Sequence, residues 1–229
     1  MSERFAHLNK LRNTSLSRGN KAERTDEKTD ARSKTRRRRK PEAAQNEILD
    51  AAEAFLREHP FREMTVEDVM SRTGLSRPSF YEYFRDRHHL VIKLVERFGS
   101  STYALAEQWL SGQGDPLNDL QEGAERLVAM YAEQGYLLRA LADAASHDGE
   151  VEQAYRATIN RLIEAAAARI RAGIEKGMVK NIDPSEVAAA LVLMNERYLM
   201  ERLWNQPKAD PRAVADTIVA VWRRVLYAA

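Results

Sequence analysis

The chain contains no cysteine, which excludes disulfides, thiolate metal sites and cysteine nucleophiles and fits a reducing compartment. It has no apolar run near the roughly 20 residues of a membrane-spanning helix, and its first residues lack the apolar core of a secretion signal. The expectation is a cytoplasmic protein with no membrane partner. Catalytic arrangements are missing too: there is no phosphate-cradling glycine loop and no GxSxG elbow. The histidines, His7, His59, His88, His89 and His147, include no pair three or four apart, and adjacent positions on a helix point about 100° apart. No metal site, no cofactor and no enzyme activity is therefore expected. Finally, no stretch alternates with period two for long enough to form a strand.

What the sequence has is an uneven distribution of charge. Residues 1–41 carry 14 Lys and Arg against 5 Asp and Glu, while the other 188 residues carry 22 against 29, so a net charge of +2 divides into +9 and −7. A basic arm precedes an acidic body. The arm has few large apolar side chains, too few to offset the entropy of ordering, and is expected to be disordered when free. Its last stretch, KTRRRRK, places Lys34, Arg36, Arg37, Arg38, Arg39 and Lys40 directly before the first helix. A flexible cationic tail of that kind reaches minor grooves and flanking phosphates; a solvated charge run is the alternative reading.

From Glu42 onward the apolar spacing is helical. The fold expected is all-α, with a three-helix helix-turn-helix domain at 42–87 joined to a larger helical bundle at 88–229, about nine helices in total. Helix one spans 42–58 with Ile48, Ala52, Phe55 and Leu56 as its apolar stripe, and HPF at 59–61 stops it. Thr65 caps a second helix that ends at Gly74, Ser76 caps a short third helix over 77–84, and Asp86 caps a fourth that runs to Leu110. Five more helices are expected near 117–134, 136–147, 150–177, 184–205 and 211–227, divided by stretches rich in Gly, Pro, Asn and Asp.

The stretch TGLSRPSFYEYF, 73–84, gives the N-terminal unit its meaning. Pro78 stands in the first turn, where no amide hydrogen is required and the fixed backbone angle suits a helix. Phe80 and Phe84 share a face and hold the helix on its neighbours. Pro78, Ser79, Tyr81 and Glu82 point outward, a small and hydroxyl-bearing face able to approach a DNA backbone closely. Tyr83 either contacts DNA or closes the small core. Residues 42–87 hold six Arg, no Lys and ten Asp and Glu, so DNA binding by this unit leans on the arm.

The motif MTVEDVMSRTGLSRPSFYEYFRDRHHL, with ILDAAEAFL upstream, resembles the DNA-binding domain of TetR-family transcriptional regulators. The resemblance implies a homodimeric repressor that binds a double-stranded, palindromic operator and responds to a small molecule. It further implies that Thr65 caps its helix and touches phosphate, that Ser76 belongs to the DNA-binding surface, that Arg77, Pro78 and Ser79 face base edges, and that Tyr81 and Tyr83 contact backbone or sugar. Arg87 stands where the family has a lysine opening the fourth helix; His88 stands where an acidic residue is usual.

In the C-terminal part, Val187, Leu191, Met194 and Tyr198 form one apolar stripe beside Ala188, Val192, Asn195 and Leu199, and the last helix is two-faced as well. Two faces need two surfaces, so the last two helices are expected to form the dimer interface; a monomer with a large core is the alternative. The segments ALVLMNERYL and DTIVAVWRRVLY are similar to the ligand domain of the ethionamide-resistance branch of the family. By that similarity Trp109, Leu127, Tyr131, Tyr155, Ile159, Leu162, Val192 and Trp222 line an apolar channel, and Asn195 is its polar handle. The implied ligand is small and hydrophobic. Leu162 and Ala165 stand where that branch is more aromatic, and Val192 replaces a second asparagine. A DNA-binding factor with no ligand is the competing reading.

Overall fold

The computed structural model describes residues 41–205 and 209–227. These form α1 (Pro41–Glu58), a 3-10 turn (Phe61–Glu63), α2 (Val66–Ser71), α3 (Arg77–Tyr81), α4 (Arg87–Ser111), α5 (Pro116–His147), α6 (Gly149–Glu175), α7 (Pro184–Met200) continued by one π turn (Glu201–Asn205), and α8 (Pro211–Leu226). Among the described residues there is no strand. The all-α expectation holds, and the eight α-helices come close to the expected count.

Helix starts follow local chemistry. Thr65 makes a capping box with Asp68, each side chain bonding the other's backbone amide. Asp86, Asp115, Asp148, Asp183 and Asp210 accept from first-turn amides of α4, α5, α6, α7 and α8. Three of these caps precede proline at the first helical position, and each cap stabilises its helix by about 1 kcal/mol. Ser76 behaves differently from expectation. It occupies the N-cap of α3 without capping an amide; its hydroxyl meets that of Ser79 at 3.0 Å instead.

The head packs around Ile48, Ala52, Phe55 and Leu56 of α1, Met64, Val69, Met70, Phe80, Phe84 and Leu90, all buried. Phe80 and Phe84 lie 5.4 Å apart between ring centroids. The third helix ends at Tyr81, earlier than expected, yet the amide of Phe84 still donates to the carbonyl of Phe80 at 2.9 Å, so its apolar face continues through the turn. The second helix likewise stops at Ser71, before Gly74. Here the Gly74 amide donates to Glu47 Oε1 at 2.7 Å, which ties the helix-turn-helix bend to α1.

Helix α4 serves both parts of the body. Its first half buries Leu90, Val91 and Leu94, its far end buries Trp109, and Arg97 bridges back to Asp50 at 2.7 Å and to Glu53. Helix α5 is the centre of the rest, packed by α4, α6, α7 and α8, and it also touches α1 and the 3-10 turn.

The two helices expected at 117–134 and 136–147 are one helix with a kink at Gln134 (φ −108°, ψ 15°). Glycine weakens a helix by about 1 kcal/mol, which made Gly135 read as a break. In the fold the buried face continues through Leu137, Leu138 and Leu141, and Gly135 is where the Trp204 indole lies against the helix. A Cβ there would collide with the indole nitrogen.

Candidate nucleic-acid interface and ligand cavity

Helices α2 and α3 form a helix-turn-helix whose outer face holds Ser76, Arg77, Pro78, Tyr81 and Glu82, all exposed. Tyr81 keeps 55% of its surface and sets its ring edge-on to Phe80 at 5.3 Å. Arg77 lies 3.7 Å from Glu67, an exposed pair that is weakly held and easily exchanged for a phosphate or a base. Ser79 is half-buried against Ser76. Thr65 is exposed at the start of α2, and its hydroxyl hydrogen bonds to Asp68 hold the Asp68 carboxyl below the usual aspartate range.

Two of the expected contact residues are turned inward. Tyr83 is half-buried and packs on the core. Arg87 donates to the carbonyls of Met64 at 2.9 Å and Arg62 at 3.4 Å and stacks 5.2 Å over the Phe61 ring. Its guanidinium secures the turn before α2, a task that a lysine's single ammonium would perform less rigidly. Lys34, Arg36, Arg37, Arg38, Arg39 and Lys40 lie outside the described residues.

The second site is a cavity of about 140 Å³ lined by α4, α5, α6, α7 and α8. Trp109, Leu127, Tyr131, Tyr155, Ile159, Leu162, Val192, Asn195 and Trp222 all lie on its wall. Trp109 and Trp222 meet edge to face with centroids 5.3 Å apart. Each indole is anchored: Trp109 Nε1 donates to Tyr227 Oη at 3.3 Å, and Trp222 Nε1 donates to Asn195 Oδ1 at 3.1 Å. The asparagine handle therefore spends its acceptor on a wall residue and has its amide hydrogens left for other partners. Tyr155 Oη donates to Glu196 Oε1 at 2.5 Å. Burial, with the Glu196 charge beside it, pushes the phenols of Tyr131 and Tyr155 well above the ordinary tyrosine range.

Several wall residues were not named from the sequence, among them two acids, Glu196 and Asp119. Asp119 stands in the first turn of α5. In the fold it is 2% exposed, and only one of its oxygens is used: Oδ1 accepts from Gln108 Nε2 at 2.6 Å, and Oδ2 has no partner among the described residues. A buried acceptor left in that state costs about 1–3 kcal/mol, more when charged.

Residues 48–94 match the family model described as bacterial regulatory proteins of the tetR family, and residues 120–228 match that of the C-terminal domain of the transcriptional regulator EthR. The chain belongs to the TetR family. With the helix-turn-helix in place, it is a DNA-binding transcriptional regulator. It is 29% identical to the HTH-type transcriptional regulator EthR of Mycolicibacterium smegmatis over 185 residues, covering 79% of this chain and 84% of that protein. Among solved structures, SmeT, the repressor of the Stenotrophomonas maltophilia multidrug efflux pump SmeDEF, superposes with a TM-score of 0.67 at 20% identity over 82% of this chain and 92% of its own. SmeT is also known as a triclosan complex. FadR of Bacillus subtilis, solved with stearoyl-CoA, superposes with a TM-score of 0.66 at 15% identity over 77% of this chain and 96% of its own. At these identities the two structures speak for the fold alone. Among the described residues no helix is long and apolar enough to cross a membrane.

Proposed function

We propose that this TetR-family regulator is a homodimeric, non-enzymatic repressor that holds a palindromic operator through α3 of each subunit and releases it when a small, mostly apolar molecule occupies the cavity. The observation that carries this reading is shared structure: α4 and α5 wall the cavity and also pack against α1 of the head. A ligand that moves either helix moves the reading face, and its differential affinity for the two arrangements sets the change in DNA affinity. Polar links follow the same path. Arg57 donates to Tyr136 Oη at 2.9 Å just beyond the α5 kink, and Arg85, in the turn before α4, pairs with Glu150 of α6 at 2.6 Å.

On the DNA side, Ser76, Arg77, Pro78, Ser79 and Tyr81 form the reading surface, and the KTRRRRK arm adds the charge that the acidic head lacks. Thr65 contributes by placing α2. Arg87 and Tyr83 act from behind the surface. The dimer forms through α7 and α8, where Leu193 keeps 47% of its surface exposed, and such a regulator works in the cytoplasm beside its operator. Support for a ligand comes from the aromatic wall and from relatives of the same fold that hold triclosan or stearoyl-CoA.

The test begins by selecting genomic fragments with the full-length protein and then titrates the bound fragment with a lipid extract of the source cells. Release in proportion to added extract is the expected result. A complex unaffected by every fraction of the extract contradicts the ligand response while leaving DNA binding intact.

A further inference from the structure

None of the described residues that line the cavity is exposed, so a ring-sized molecule reaches it only where part of the wall gives way. A second space, a cleft of about 530 Å³ beside the C-terminal end of α5 and between α6 and α7, shares three of those residues: Tyr155, Ile159 and Glu196. Its polar walls, Ser146, Glu152, Arg156 and Asn160, are all exposed, so the cleft opens to solvent. Tyr155 and Ile159 stand one turn apart on one face of α6, and Glu196 meets them from α7. Each of these half-buried side chains therefore has the cavity on one side and the cleft on the other. What closes the partition is a side-chain hydrogen bond, from Tyr155 Oη to Glu196 Oε1 at 2.5 Å. Such a bond exchanges for water at modest net cost, and both groups have water within reach on the cleft side.

We propose that the cleft between α6 and α7 is the entrance to the cavity and that the Tyr155–Glu196 hydrogen bond is the bar across it. This rests on the reading above that the cavity takes a small molecule. The bond breaks, the phenol and the carboxylate turn into the cleft, the ligand passes between them, and the bond re-forms behind it. A bar that closes over the empty and the filled cavity alike slows entry and exit by the same factor and cancels in the equilibrium constant. A residue that only contacts the ligand acts in the opposite way, chiefly on exit.

Iodobenzene is a suitable probe. An apolar cavity of about 150 Å³ holds benzene, and the heavy atom quenches Trp109 and Trp222, which stand on the wall. Entry and exit rates on the full-length protein are read by stopped-flow fluorescence for the wild type, Tyr155→Phe and Asn160→Phe, and thermal melts report that each variant has folded. Tyr155→Phe keeps the ring and removes the bar, so it is expected to raise both rates by about three- to tenfold, the range of one net hydrogen bond, with Kd nearly unchanged. Asn160 lines the cleft and not the cavity, so Asn160→Phe is expected to slow both rates, again at nearly constant Kd. Wild-type rates in both variants overturn the entrance and leave the cavity reading standing. A change confined to the exit rate in Tyr155→Phe makes that residue a wall contact and overturns the bar. Faster rates in Tyr155→Phe without slowing in Asn160→Phe overturn the route through the cleft. Absence of quenching in the wild type overturns the cavity reading and the entrance with it.

Discussion

Phe80 is fully buried, while Tyr81 beside it keeps 55% of its surface exposed, and this division of adjacent aromatics separates the core side of α3 from its outer side. Phe80→Ala is expected to destabilise the protein by about 3–5 kcal/mol in urea melts, the cost of deleting a core phenyl ring. Tyr81→Ala should change stability by less than about 0.5 kcal/mol and weaken operator binding in gel-shift titrations. A second residue-scale expectation concerns alkali. Tyr131 and Tyr155 hold their protons in the fold beyond the ordinary tyrosine range, whereas free phenols ionise near pH 10. The native state therefore binds more protons than the unfolded state above about pH 10, and stability falls as pH rises through that region. Replacing both tyrosines with Phe should flatten the fall, followed by denaturant midpoint against pH. Residue roles were legible where local chemistry decides them, as for Pro78, Phe80 and Phe84. They were not legible for Glu196 or Arg87, whose partners Tyr155 and Met64 lie 41 and 23 positions away.

At the scale of elements, Gly135 separates propensity from packing. Propensity alone says that Gly135→Ala should stabilise α5 by about 1 kcal/mol. The Trp204 indole against that position reverses the sign. The expected outcome is a loss of about 1–3 kcal/mol from overpacking, visible as a lower Tm, and a much smaller loss in the Gly135→Ala, Trp204→Ala double variant. The same position shows where sequence reading of elements ends. Capped starts such as Asp115-Pro116, Asp183-Pro184 and Asp210-Pro211 are written in neighbouring residues, so those boundaries were found. Whether Gly135 breaks a helix or receives a ring is decided by Trp204, 69 positions later, and periodicity carries no such information.

For the whole molecule, the charge division sets the electrostatics of DNA binding. The head residues 42–87 carry six Arg against ten Asp and Glu, and Arg87 is committed within the head. The arm therefore supplies most of the available cations. If four of its charges neutralise phosphates, deleting residues 1–40 should reduce the slope of log affinity against log salt by about 3.6, measured by fluorescence anisotropy over a salt series. The all-α plan was readable from periodicity. The convergence of α4 and α5 on both head and cavity was not, because it is a property of packing.

The central claim is that α3 reads duplex DNA as one of a symmetric pair. Footprinting the full-length protein on fragments of its own genome at low salt tests it most directly. The account predicts a protected palindrome whose half-sites are centred about 34–36 Å apart or a multiple of that, weakened by Tyr81→Ala. Equal indifference to every double-stranded fragment, with the arm present, would contradict it.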